Sequence, residues 1–271
     1  MHFRAFICSL FALTLSICFP ASAEQVDVEL VIAVDVSGSM DFGELRTQRR
    51  GYVEAFRSSE VHSAISSGLI GAVAVMYVEW ARDDLKRVIV PWTRLERPAD
   101  AVAFSDRLDA AGLGNMRNTS ITGAIGYGVE QLENNAFNGV RLVIDISGDG
   151  PNNQGGLVTR ARDRAVSRGV IINGLPLVTE PWRERLIFGD SGDLAAYFHA
   201  CVIGGPGSFV IAVKQWEEFA SAVRRKLVLE LAAVDALLPP LINAQFLQVP
   251  VPDIDCLIGE KRRRERERGG P

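Results

Sequence analysis

Histidine is almost absent from this 271-residue chain, occurring only as His2, His62 and His199. Chemistry that relies on an imidazole, as general base beside a metal or as partner of a nucleophilic serine, has little to draw on. Cysteine is nearly as scarce: four in all, two of them (Cys8 and Cys18) within the first 20 residues. At most one disulfide, Cys201 to Cys256, is left for the rest. Long apolar runs are missing too. Beyond the opening segment nothing approaches the roughly 18 consecutive apolar residues of a membrane-crossing helix. Nor is there an excess of positive charge, since 29 Lys and Arg stand against 33 Asp and Glu. Six of the basic residues crowd into the last eleven positions, KRRRERERGGP, so the remainder is more acidic still and unsuited to nucleic acid.

Residues 1–23 read as a secretory signal peptide. His2 and Arg4 give a basic start, Ala5 to Phe19 is largely apolar, and Ala21-Ser22-Ala23 fits an A-x-A cleavage site. A lipoprotein reading would use Cys18, but the bulky Ile17 before it argues against that. The mature chain is therefore expected outside the cytoplasm, periplasmic or secreted, with no transmembrane segment. Its two cysteines make Cys201–Cys256 a candidate disulfide tying a C-terminal extension to the domain, the alternative being two unrelated buried thiols.

One stretch organises the rest, Val28 to Met40, VELVIAVDVSGSM. Leu30 to Val34 is the unbroken apolar run of a strand buried on both faces. It stops at Asp35, after which oxygen-bearing side chains come at every second position: Asp35, Ser37, Ser39. A carboxylate and two hydroxyls at the carboxyl end of a central strand sit where open α/β sheets bind ligands. They are hard donors, suited to Mg²⁺, Mn²⁺ or Ca²⁺. The plainer alternative is a strand-to-helix turn with Ser39 or Asp41 as N-cap.

Strands and helices then alternate. Phe42–Ser58 is amphipathic and helical; Gly68–Trp80 and Lys86–Trp92 are strands, the second antiparallel and marked as an edge by Pro91. Asp83-Asp84 reads as the tip of the hairpin between them. Helices follow at Pro98–Ala110 and Ile121–Glu133, a strand at Gly139–Ile146, a helix at Gly156–Arg168 and a fifth strand at Gly169–Val178. After a short helix at Asp190–Ala200 come a sixth strand, Phe209–Val213, and a helix, Trp216–Leu231. The pattern describes one doubly wound, mainly parallel six-stranded α/β sheet with one antiparallel edge strand and helices on both faces. The expected layout is residues 24–232 as the domain, 233–260 as an extension packed on it, and 261–271 as a charged, disordered tail.

The motif Asp35-Val36-Ser37-Gly38-Ser39 resembles the D-x-S-x-S signature of the von Willebrand factor type A domain, where it opens a metal-ion-dependent adhesion site. The order of elements from residue 26 to 232 agrees with that resemblance, and the leader together with the domain resembles an uncharacterised family of exported bacterial proteins. By register, Thr119 takes the place of the family's threonine in the second metal loop, with Ser120 and Thr122 as rivals. Asp149, before Gly150, takes that of the second aspartate, with Asp145 as rival. The resemblance implies that Ser37, Ser39 and Thr119 touch Mg²⁺ (or Mn²⁺) through hydroxyls while Asp35 and Asp149 act mainly through water. A sixth position stays open for an Asp or Glu of a partner protein. It thus implies a binding module, not an enzyme. The alternatives are a metal-dependent hydrolase and a structural exported domain with an inactive site.

Overall fold

The computed structural model describes residues 23–114, 116, 118–189, 193–232 and 254–268. The expected signal peptide, but for Ala23, and residues 233–253 of the expected extension lie outside the described residues. In chain order the elements are β1 (Glu24–Asp35), α1 (Phe42–Phe56), α2 (Ser59–Ile65), β2 (Val73–Trp80), β3 (Lys86–Leu95) and α3 (Pro98–Ala110). Then come α4 (Ile121–Glu133), β4 (Phe137–Gly148), α5 (Val158–Val166), β5 (Val170–Pro176) and α6 (Pro181–Phe188). The last are α7 (Leu194–Tyr197), which runs on as a π-turn over Phe198–Val202, α8 (Phe219–Leu231) and α9 (Ile258–Arg268).

The sheet order is β3-β2-β1-β4-β5, with β3 antiparallel to β2 and the other pairs parallel. β1 lies at the centre and is buried from Val28 through Asp35, which is why its sequence is a continuous apolar run instead of an alternating one. The period of two is still legible in what each side chain meets. Leu30 and Ile32 join a core with Tyr52, Phe56, Phe104 and Phe219 of α1, α3 and α8. Val31 and Ala33 join the opposite core, with Ile121, Ile125 and Val158 of α4 and α5. Two helical layers thus cover the two faces, and the carboxyl ends of β1 and β4 open at one rim.

The sixth segment runs parallel to β5 without becoming a strand of the sheet. It makes two isolated bridges, Gly174–Val210 and Leu177–Val213. Gly174 N donates to Phe209 O and Val178 N to Val213 O, but the donor due between them would be residue 176, a proline. Its missing N–H interrupts the ladder. On the other margin Pro91 also falls where pairing is irregular, the register slipping between Val75–Thr93 and Tyr77–Val90.

The tail departs from expectation more sharply. Residues 258–268 form α9 instead of a disordered charge run. Cys256 is disulfide-bonded to Cys201 with Cα atoms 5.6 Å apart, which anchors the start of the helix. Gly259 lies so close to the Asn152 carbonyl that a Cβ would collide with it, and Glu260 accepts from Asn152 Nδ2 at 2.7 Å. Along the helix Arg263 pairs with Glu267 at 2.8 Å, an i,i+4 contact that offsets the repulsion among the arginines. Among the described residues no helix is long and apolar enough to cross a membrane.

Candidate metal centre

Asp35 ends β1 fully buried, and its Oδ1 accepts from Ser37 N at 2.8 Å, closing the tight turn of the first loop. Its Oδ2 is buried with no hydrogen-bond partner among the described residues. Gly148, at the end of β4, gives this carboxylate room, since a Cβ there would stand 3.1 Å from Oδ2. Ser37 Oγ lies 3.1 Å from Ser39 Oγ, and Ser39 Oγ donates to Asp149 Oδ1 at 2.8 Å. The capping of α1 falls to Asp41, which forms a capping box with Glu44, so Ser39 faces the cleft instead.

Thr119 lines a cleft with Ser37 and Ser39 and a second with Ser39 and Asp149. Its two rivals are engaged elsewhere. Ser120 is the N-cap of α4, accepting from Gly123 N at 3.0 Å with Asp83 Oδ1 3.1 Å away. Thr122 Oγ1 donates to Gly156 O at 3.0 Å. Asn118, just before Thr119, has φ of 67°, a left-handed conformation that asparagine tolerates. The rival aspartate, Asp145, lies inside the sheet 2.8 Å from Lys226 Nζ and away from the rim.

Several residues that hold the loops carry no signal in the sequence reading. Met116 N donates to Val36 O at 3.0 Å, tying the second loop to the first. Asn153 clamps the Thr119 backbone at two points, its Oδ1 accepting from Thr119 N at 3.2 Å and its N donating to Thr119 O at 3.0 Å. Asn152 accepts from Thr122 N and donates to Glu260 of α9. Two asparagines directly after Asp149-Gly150-Pro151 were the available hint. Arg183, on a helix absent from the sequence reading, donates to Asp149 Oδ2 at 2.9 Å and to Ser39 O at 3.2 Å.

Both carboxyls at this rim are held above their ordinary values. Burial pushes the Asp35 carboxyl well above its ordinary value, and the charge of Asp149 pushes it further. Burial likewise raises Asp149, with Ser39 and Arg183 working in the opposite direction. Among the described residues no three His, Cys, Asp or Glu side chains cluster as a metal site, so any cation here would rest on hydroxyls as well as carboxylates. His62, on α2, has its Nε2 2.8 Å from Phe56 O of α1, and His199 lies in the π-turn, neither at this rim.

Residues 25–235 match the model of a family described as a protein of unknown function, DUF1194. The chain belongs to that family. None of the curated proteins compared with it matches. Proximal thread matrix protein 1 of the mussel byssus superposes on this DUF1194 protein with a TM-score of 0.53 at 14% identity, over 77% of this chain and 47% of that one. The same mussel protein with a zinc-occupied MIDAS motif gives 0.51 at 14%, over 78% and 49%. A von Willebrand factor type A protein from Catenulispora acidiphila gives 0.50 at 15%, over 76% and 43%. The chain therefore spans about half the length of these proteins or somewhat less. At such identities the likeness is one of fold, and the fold is that of the von Willebrand factor type A domain.

Proposed function

We propose that this DUF1194 chain is an exported protein-binding module in which a divalent cation, Mg²⁺ or Mn²⁺, joins the site to an Asp or Glu of a partner. Ser37, Ser39 and Thr119 would hold the cation through hydroxyls, with Asp35 and Asp149 balancing its charge. When bound, the cation supplies an electrophile that a partner carboxylate can ligate. The observation that carries the reading is the buried Oδ2 of Asp35, without a hydrogen-bond partner among the described residues and beside Ser37, Ser39 and Asp149. A buried carboxylate oxygen left without a donor is costly unless a cation satisfies it. Among the described residues no histidine lies at the rim, which favours binding over catalysis, and the zinc-occupied MIDAS motif of the mussel protein lends the cation support by analogy.

Calorimetric titration of chelator-treated protein with Mg²⁺ and Mn²⁺ tests this. One equivalent is expected to bind, in competition with protons, because burial raises both carboxyls above their ordinary values. Affinity should accordingly weaken as pH falls. Asp35→Ala should abolish binding while leaving the circular dichroism spectrum native. Saturable binding that persists in that variant would remove Asp35 from the site.

Arg183 puts a guanidinium against Asp149 and so competes with a cation for the same carboxylate. Arg183→Ala is expected to raise Mg²⁺ affinity roughly fivefold, the effect of about 1 kcal/mol of like-charge repulsion at a partly solvated rim. An unchanged or weaker affinity in the same titration would mean that Arg183 organises the site instead of opposing the ion.

A further inference from the structure

The cleft beside the candidate metal centre has walls of a definite chemistry. One wall is α6, which buries none of its residues and presents Trp182 and Leu186, 61% and 68% exposed. These two are i and i+4, so they share one face of the helix. The other wall is α9, which presents Arg262 and Arg266, again i and i+4, to the same cleft. Ser39, Thr119 and Asp149 lie along its floor. Arg263 and Arg266 continue the basic wall past Ser37 and Asn153.

Neither wall is explained by stability. α6 is held by Phe188, which packs against the core beside Tyr197, so the exposed Trp182 and Leu186 are not what fixes it, and paired large apolar side chains beside a polar site mark a contact surface. The arginines of α9 are only partly used within the chain. Arg262 reaches Glu265 at 3.4 Å and remains 45% exposed, and no carboxylate is ion-paired with Arg266 among the described residues. The wall is also held in place deliberately, by the Cys201–Cys256 disulfide and by Asn152 donating to Glu260. In a chain whose body is acidic, the basic helix has been brought to the one rim where the proposed cation sits.

We propose that the cleft between α6 and α9 is the specificity half of the binding site and takes an acidic polypeptide segment bearing a bulky apolar side chain. This rests on the metal reading above, which accounts for one carboxylate of the partner. A second carboxylate meets the guanidinium forks of Arg262 and Arg266, whose planar geometry suits it. The apolar side chain lies across Trp182 and Leu186. A sulfated polysaccharide or nucleic acid would satisfy the arginines but has no aliphatic group for that face. The partner is therefore a protein segment mixing Asp or Glu with Leu, Ile or Phe.

Fluorescence anisotropy with two labelled peptides tests the proposal, Asp-Leu-Glu-Asp-Leu-Glu and its counterpart with serine in place of leucine. The mature disulfide-bonded protein is used, and its Mg²⁺ titration is run in parallel. The leucine peptide should bind in Mg²⁺ and lose binding in chelator, and the serine peptide should bind at least fivefold more weakly. Arg262→Ser with Arg266→Ser should weaken the leucine peptide roughly tenfold, as should Trp182→Ser, while both variants keep one equivalent of Mg²⁺. No binding of the leucine peptide by protein that takes up Mg²⁺ normally would overturn the cleft and leave the metal site standing. So would equal binding of the two peptides, or heparin binding as tightly as the leucine peptide and indifferent to chelator. Failure of the unaltered protein to bind Mg²⁺ at all would overturn both readings.

Discussion

Lys226→Met is expected to cost the fold about 3–5 kcal/mol at pH 8, the usual penalty for removing one partner of a buried ion cluster. Lys226 lies on α8, 1% exposed, with its Nζ 2.8 Å from Asp145 Oδ1 of β4 and paired also with Glu230 one turn on. Asn173 Nδ2 donates to Glu230 Oε1 at 2.9 Å, and the ammonium sits 5.2 Å from the centre of the Phe209 ring. Methionine would fill much of the space and leave two buried carboxylates facing each other. Their pH dependence separates charge from packing. In the intact protein, burial and then the charge of Asp145 push Glu230 from its ordinary 4.5 up to about 7, against the pull of Lys226. Asp145 is raised as well, by burial, with Lys226 opposing. The native state therefore binds protons more tightly than the unfolded chain between pH 4.5 and 7. The stability this contributes is present at the acid end and is lost as pH rises through that window. Without the lysine both carboxyls rise further and the window moves upward. Urea unfolding should show the variant's deficit largest at pH 8 and much smaller at pH 5. A deficit equal at both pH values would assign the effect to packing alone.

Reduction of the Cys201–Cys256 bridge is the second large effect expected. The bond spans 55 residues, and the chain-entropy account gives it about 4 kcal/mol as an upper figure. For a domain of this size that corresponds to a fall in Tm of up to about 10 °C. The loss should begin locally. Cys201 is fully buried in the π-turn after α7, whereas α9 contributes only Gly259 to the buried set. Once unlinked, α9 depends on Ile254 and Ile258, which are only partly buried against the core, on Asn152–Glu260, and on a few exposed ion pairs, each worth little. Its six basic residues make it a trypsin substrate as soon as it lifts. Limited proteolysis with reductant should therefore trim residues 261–268 well before the sheet is attacked. An unchanged melting curve, with two thiols titrating in the absence of reductant, would mean that the bridge does not form.

The sheet was legible because its strands are buried on both faces and so appear as continuous apolar runs, Leu30 to Val34 above all. The helix α1 was legible from its apolar spacing and α3 from Pro98 at its first turn. The five residues of the candidate centre were legible as a motif but not as a geometry. Ser120 caps α4 and meets Asp83 while Thr119 lines the cleft, a division that depends on loops remote in the sequence. The helix α6 was missed because its inward face mixes Arg183 and Glu184 with Ile187 and Phe188 while Trp182 and Leu186 face outward, so no apolar stripe is left to read. The structure of the tail was missed for a related reason. A charge run looks solvated in isolation, and only the disulfide, Gly259 and the asparagine pair supply what fixes it.

Proline at both margins of the sheet has a consequence for life at high concentration. Beside β5 the 209–213 segment covers the outer row of backbone groups, and the gap in its pairing falls at Pro176, which has no amide to offer. On β3, Pro91 sits at the register slip and breaks the outward row there too. Neither border presents a straight file of free amides onto which a strand from another molecule could grow. Fibril growth through this sheet would first have to peel away the covering segment or straighten the bulged border.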